Sequence, residues 1–163
     1  MRIGFGWDLH RLEEGRPLWL GGLQIDSPVG EVAYSDGDVL LHAVIDAVLG
    51  SAALGDIGSH FPPGDPQWKN AASTDLLART MALFHEADYS LVNIDATVIL
   101  ERPRLAPHIP AIRERMAELL VLPFQSISVK AKSSEGVDAV GRGEAVQAYC
   151  VVLAERMAPS AWV

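Results

Sequence analysis

The segment DVLLHAVIDAVLG, residues 38–50, constrains this chain more than any other. Its spacing predicts a helix, entered through a Ser35-x-x-Asp38 capping signal and running to about Leu54. Val39, Leu41, Val44, Ile45, Val48 and Leu49 cover it on nearly every side, so the helix has to be enclosed by the rest of the fold. Only Asp38, His42 and Asp46 interrupt the apolar surface, and a repeat of four stacks them in one narrow polar stripe. With no lysine or arginine beside it, the stripe reads as facing inward, toward a site. An imidazole left unpaired there would cost about 2–7 kcal/mol, so His42 needs a partner. The apolar stretch from Val39 to Gly55 falls short of the ~20 residues a membrane span requires, and no membrane partner is expected.

A partner is available at the N-terminus. In RIGFGWDLHR, Asp8 and His10 are two apart and leave a strand from the same face. Two histidines and a carboxylate form a common three-ligand metal site, and three protein ligands leave a coordination position open, as in catalytic zinc. Asp46, one turn beyond His42, fits a hydrogen-bond partner that orients the imidazole.

Around these residues the chain alternates strands and helices. Residues 1–9 read as a strand and 17–25 as a hairpin closed by Gly21-Gly22. Ser59 to Ser73 is a loop dense in proline and glycine, long enough for a lid or a flexible segment, and a helix over 74–87 follows. Strands are expected over Leu91–Leu100, Ser126–Ser133 and Glu144–Leu153, with an amphipathic helix over Ile109–Leu120. The fold class is α+β: a mixed sheet of about four long strands, helices packed on one face, and an N-terminal hairpin. At 163 residues the chain reads as one domain, 1–163, able to bury close to ~70% of its unfolded surface.

A net charge of −8 argues against a nucleic-acid partner, while an anionic substrate remains compatible if cations gather in one cleft. The single cysteine, Cys150, lies in the apolar run AVQAYCVVLA and reads as a buried strand residue, so no disulfide framework is expected. The N-terminus opens into a strand without a signal-peptide apolar region. A soluble, cytoplasmic protein is the expectation.

Further motifs follow in order: Asp36-Gly37-Asp38, Leu54-Gly55-Asp56-Ile57-Gly58, Glu101-Arg102-Pro103-Arg104-Leu105, Val129 through Gly136 (VKAKSSEG), and Gly141-Arg142-Gly143-Glu144. With SDGD-x3-H at 35–42, this set resembles the 2-C-methyl-D-erythritol 2,4-cyclodiphosphate synthase family of the non-mevalonate isoprenoid pathway, over essentially the whole chain. The resemblance implies a homotrimer with active sites between neighbouring subunits and one Zn2+ per chain on Asp8, His10 and His42. It implies a small-molecule substrate, 4-diphosphocytidyl-2-C-methyl-D-erythritol 2-phosphate, cyclised with release of CMP. Glu135 matches the residue for a second cation, Mg2+ or Mn2+, which needs few protein ligands when phosphate oxygens supply the rest.

Lys132, Ser133 and Ser134 correspond to the phosphate-contacting segment, with Ser133 where the family usually has threonine. Asp56, Ile57 and Gly58 match the segment that holds the methylerythritol portion. Leu100, Glu101, Arg102, Pro103, Arg104, Leu105 and Ala106 match the cytosine pocket, and Phe61, Pro62, Pro63, Gly64 and Asp65 the lid. Leu9, Ser35, Ala131, Ala139 and Arg142 fall among the remaining substrate positions. The chain departs from the family pattern at four places. Tyr34 stands where a histidine credited with transition-state stabilisation is usual, and a phenol donates a hydrogen bond but carries no positive charge near neutral pH. Pro63 replaces a frequent aspartate. Asp138 and Ala139 replace glycine and a phenylalanine that lines an apolar cavity on the trimer axis.

Two other functions use the same residues. A non-haem iron oxygenase binds its metal through two histidines and a carboxylate, usually on an all-β fold. A non-catalytic trimeric binding protein would hold the metal structurally and needs a fourth protein ligand, yet His60, His85 and His108 lie in no motif that suggests one.

Overall fold

The computed structural model describes residues 1–157; residues 158–163, the end of the expected domain, lie outside the described residues. Its frame is a five-stranded sheet in the order β4-β1-β7-β5-β6, built from β1 (Arg2–Glu14), β4 (Val29–Val32), β5 (Tyr89–Ile99), β6 (Ile127–Lys132) and β7 (Ala145–Arg156). Every pairing is antiparallel except β5 with β6, whose connection carries α4 (Ile109–Leu120), so the sheet is mixed. The expected hairpin is present as β2 (Leu18–Leu20) and β3 (Leu23–Ile25).

Strand alternation decides which face receives the helices. On β7, Val146, Ala148, Cys150, Val152 and Ala154 are fully buried under them. The opposite face is also apolar: Ile3, Phe5, Trp7 and Leu9 of β1 are 74, 63, 47 and 43% exposed, and Val151 of β7 is 43% exposed.

The helix α1 (Val39–Ala52) is the centre of the core, with Val39 through Leu41, Ala43 through Ile45, and Ala47 through Leu49 all fully buried. It approaches β1 backbone to backbone. A Cβ added to Gly4 would sit 1.8 Å from the Ala47 carbonyl oxygen, and one added to Gly6 would sit 2.0 Å from that of Ala43. Only glycine permits this approach. The seat sets the site, because the next inward positions of β1 are Asp8 and His10, which meet His42 one residue before Ala43. Against α1 packs α3 (Ser73–Glu86).

Three expectations are corrected. The first strand runs to Glu14 rather than residue 9, because its charged second half pairs with β4, a short strand absent from the sequence reading. The helix N-cap is Asp38, not Ser35, and the helix ends at Ala52. Asp38 therefore does not face the site. Its carboxylate accepts from Leu41 N at 2.9 Å, Gly21 N at 3.0 Å and Gly22 N at 2.6 Å, holding the hairpin turn against the start of α1. The free N–H groups of a first turn call for a carboxylate just as a metal site does, and both give the same spacing.

Beneath Asp38 lies a second buried carboxyl, Glu31, 2% exposed and accepting from Trp19 N at 3.0 Å. Burial, and then the neighbouring Asp38, push the Glu31 carboxyl up to about 9. Its folded value lies above its unfolded value near 4.5, so its contribution to stability is full below that pH and is lost as pH rises through about 9. We expect urea denaturation to find the protein at least about 1 kcal/mol less stable at the alkaline end of this window than at the acid end. Glu31→Gln should flatten the slope. An unchanged slope in that variant would remove Glu31 as its source.

Candidate active site

Where the inward end of β1 meets the first turns of α1, the three residues singled out by chemistry converge. Asp8 Oδ2 lies 3.0 Å from His10 Nε2 and 3.0 Å from His42 Nδ1. The rings of His10 and His42 stand edge to face, with centroids 5.0 Å apart. Burial works to raise the Asp8 carboxyl, but the hydrogen bonds to His10 and His42 outweigh it and hold the group far below the usual carboxylate range. Burial likewise works to lower His10, and the Asp8 carboxylate more than offsets it, so His10 is raised.

One ligating atom from each of Asp8, His10 and His42 lies within 4.8 Å of the other two. A tetrahedral zinc with bonds of about 2.0–2.2 Å spaces its donors on the order of 3.4 Å apart, so the triplet fits a cation without backbone rearrangement. The far sides of the rings are also held. His10 Nδ1 lies 2.7 Å from the Gly37 carbonyl oxygen, and His42 Nε2 lies 3.2 Å from Ser35 Oγ and 3.0 Å from Ser73 Oγ. Asp8 Oδ1 accepts from Leu9 N at 2.8 Å.

Asp46 does not orient His42. It accepts from Ile57 N at 2.7 Å, because α1 presents it to the start of α2 (Ile57–His60), where a donor is free. His42 takes its partners instead from Ser35 and from Ser73 at the head of α3. The stripe thus divides among three tasks: Asp38 the cap, His42 the site, Asp46 the next turn.

The two histidines of the triplet open onto a cavity of about 260 Å³, lined also by Tyr34, Ser35, Ile57, Gly58, Phe61, Pro63, Trp68 and Leu76 among others. Several positions placed here by resemblance thus share one wall. Trp68, which the sequence reading passed over, stands edge to face with Phe61, with ring centroids 5.0 Å apart. The Tyr34 hydroxyl donates to the Asp65 carbonyl oxygen at 3.0 Å, tying the expected lid to this wall. Asp65 caps a short 3-10 helix, Pro66–Trp68, and Asp56 caps α2, accepting from Ser59 N at 2.8 Å. Pro62 and Gly64 are exposed between them.

A second cavity of about 270 Å³ is lined by Leu100, Glu101, Arg104, Leu105, Ala106, Ala131, Lys132 and Ser133. Arg102 is exposed and Pro103 half-buried beside it. Ser134 N donates to Glu101 Oε2 at 3.2 Å, which ties the two motifs together. This cavity shares no lining residue with the first.

Glu135 is exposed, apart from the triplet, and accepts from Ser133 Oγ at 3.3 Å. Asp138 adopts a left-handed φ of 61°, a conformation that glycine enters without strain, and its carboxylate accepts from Val140 N at 2.8 Å. Ala139 follows half-buried in α5 (Asp138–Gly141). Arg142 pairs with Glu144 at 2.9 Å on the surface. Leu9 points to the exposed apolar face, away from Asp8 and His10. Cys150 is buried as expected, and burial pushes its thiol up to about 12, so it is no nucleophile.

Fold and site define a mixed-sheet α+β protein with a three-donor cluster, spaced to hold a cation, at the junction of its first strand and central helix. Residues 1–155 match the model of the YgbB family, and the chain belongs to that family. It is 53% identical over 155 residues to the 2-C-methyl-D-erythritol 2,4-cyclodiphosphate synthase of Gloeobacter violaceus, covering 95% of each chain. It is 53% identical over 154 residues to the synthase of the same name from Salinibacter ruber, covering 93% of this chain and 98% of that one. A solved structure of a 2C-methyl-D-erythritol-2,4-cyclodiphosphate synthase in its CDP-bound form superposes with a TM-score of 0.88 at 45% identity, covering 94% of this chain and all of that one. The mixed sheet with helices on one face is not the all-β frame on which an iron oxygenase usually sits. Among the described residues the donor cluster holds three residues, one short of the four protein ligands usual in a structural zinc site.

Proposed function

We propose that this chain converts 4-diphosphocytidyl-2-C-methyl-D-erythritol 2-phosphate to 2-C-methyl-D-erythritol 2,4-cyclodiphosphate and CMP, in the cytoplasm, as a step toward isoprenoid precursors. The observation that carries this reading is the donor triplet, whose two histidines line a built cavity, in a chain of this family. An oxygen of the 2-phosphate bonds to the β-phosphorus of the substrate's own diphosphate. The bond from that phosphorus to the oxygen of CMP breaks, and CMP leaves.

Like charges repel at that step, and the site residues are suited to relieve it. Asp8, His10 and His42 would hold Zn2+, and Glu135 a second cation, Mg2+ or Mn2+. A divalent cation there supplies charge neutralisation and alignment for the phosphate oxygens. Lys132 adds a positive charge at the second cavity, and Ser133 and Ser134 add hydroxyls. Backbone groups from Leu100 to Ala106 read the cytosine, and Asp56, Ile57 and Gly58 hold the methylerythritol. Tyr34 in place of histidine gives the wall a neutral donor. The CDP-bound form of a solved relative supports a cytidine-diphosphate ligand. Incubation with the substrate should yield equal amounts of CMP and cyclic diphosphate by phosphorus NMR. Loaded, folded protein that leaves the substrate intact would refute the reading.

A homotrimer with active sites between subunits belongs to the same proposal. The histidines of the triplet and the cytidyl-side residues line separate cavities, and a neighbouring subunit is the natural way to bring them together. The exposed strip of Ile3, Phe5, Trp7 and Leu9 is an apolar face of the kind that marks an interface. Light scattering should give about three times the chain mass. The mass of one chain would remove the shared site. No helix among the described residues is long and apolar enough to cross a membrane.

A further inference from the structure

We infer that Tyr34 is a positioning residue: its hydroxyl clasps the exposed strap 62–69 and, together with Arg79, keeps Trp68 in place as the outer wall of the site cavity. The inference rests on the proposed function only in taking that cavity as the place where substrate binds.

The strap is anchored at both ends. Phe61 is buried, and its N–H donates to the Ile57 carbonyl oxygen at 2.8 Å. At the other end Asn70 N donates to the Tyr34 carbonyl at 2.9 Å, and Asp36 N to the Ala71 carbonyl at 3.0 Å. Between these anchors every residue except Trp68 is exposed. The stretch bonds mainly to itself: Asp65 N donates to the Pro62 carbonyl, Trp68 N to the Asp65 carbonyl and Gln67 N to Asp65 Oδ1. Apart from Ala71 N, at the turn where the strap ends, a single donor among the described residues reaches it from outside. That donor is the Tyr34 hydroxyl, 3.0 Å from the Asp65 carbonyl oxygen. A segment with so few buried contacts opens at low cost, so one bond from the body of the fold weighs heavily on it.

Trp68 is what the clasp protects. Phe61 meets its ring from one side, and Arg79 of α3 lies over it with the guanidinium 5.1 Å from the ring centroid. Phe61 and Trp68 line the site cavity, and they also line a groove of about 310 Å³ shared with His60, Arg79 and Leu83. The two rings are therefore the partition between site and groove. With Trp68 displaced the two spaces join, and water enters from the groove.

A hydroxyl has one proton to give, and Tyr34 gives it to Asp65. The donor that Tyr34 adds to the wall is thus spent inside the wall, not on the phosphates. Phenylalanine at this position would keep the ring and remove the clasp alone.

Trypsin reads the strap directly, because Lys69 is the only lysine or arginine between Arg16 and Arg79. Tyr34→Phe should speed the initial cleavage after Lys69, followed by mass spectrometry, about 5-fold, the order set by one lost hydrogen bond. Arg79→Ala should speed it about 3-fold through the lost stacking. Cleavage after Lys130, which lies in β6 and needs the core to open, should keep the parent rate in both variants. With the diphosphocytidyl substrate, the loss in Tyr34→Phe should fall mainly on KM, whereas a group that met the phosphates in the reacting state would lose kcat. Circular dichroism establishes that each variant is folded. Parent-like cleavage after Lys69 in either folded variant, an equal rise after Lys130, or a loss confined to kcat would overturn the inference. If the parent protein left the substrate intact, the functional reading would fall, and the cleavage rates would still decide the role of Tyr34.

Discussion

Replacing His42 with alanine is expected to take the zinc content of the purified protein from about one per chain to near zero. His42 supplies one of three donors, and the two that remain, Asp8 and His10, sit on a strand with no other ligand in reach among the described residues. CMP release should fall by at least 10²–10³-fold, the order lost when one well-placed electrostatic group is removed from a reacting site. The imidazole is buried and accounts for hydrogen bonds to Asp8, Ser35 and Ser73, so removing it also opens a cavity and strands polar atoms. About 1–3 kcal/mol of stability should go with it. Circular dichroism therefore accompanies the elemental analysis. Undiminished zinc in a folded His42→Ala protein would remove His42 from the site.

The second large effect lies away from any ligand. Gly6→Ala should lower stability by roughly 3 kcal/mol or more, because its Cβ would fall 2.0 Å from the Ala43 carbonyl oxygen and 2.7 Å from Ala47 N. Both atoms belong to the backbone of a helix buried on nearly all sides, so α1 as a whole has to shift. A loss of that size lowers the melting temperature by roughly 6–12 °C. Zinc affinity should fall as well, since moving Ala43 draws His42 away from Asp8. Gly50→Ala is the control on the same helix: its Cβ would meet only the Phe5 carbonyl oxygen, at 3.9 Å, and helix propensity favours alanine there. A parent-like melt for Gly6→Ala would mean that α1 is not seated through β1.

That seat explains what could and could not be read in advance. The helix over Ile109–Leu120 and the hairpin closed by Gly21-Gly22 declare themselves through local periodicity and turn residues, and the structure places them at those positions. The strand Val29–Val32 does not, because its central Glu31 is a buried carboxyl held by Trp19 N and reads in sequence as a solvated charge. The triplet was legible because an imidazole in an apolar helix needs a partner and Asp-x-His offers one. Asp38 and Asp46 carried the same four-residue spacing, yet each satisfies backbone donors, of α1 and the hairpin in one case and of α2 in the other. Spacing reports a shared side of the helix, not a shared task. Ser73 left no signal at all: it meets His42 Nε2 at 3.0 Å only because α3 packs on α1, and no local pattern records a contact between residues so far apart in the chain.

Stripping the protein with a chelator and titrating it back with Zn2+ while following CMP release tests the central claim most directly. The account predicts that the stripped protein is inactive with substrate and Mg2+ alone, and that release rises to a plateau at about one Zn2+ per chain. Release at the parent rate from protein shown to hold no zinc would contradict it, and Asp8, His10 and His42 would then be a hydrogen-bonded cluster of the core.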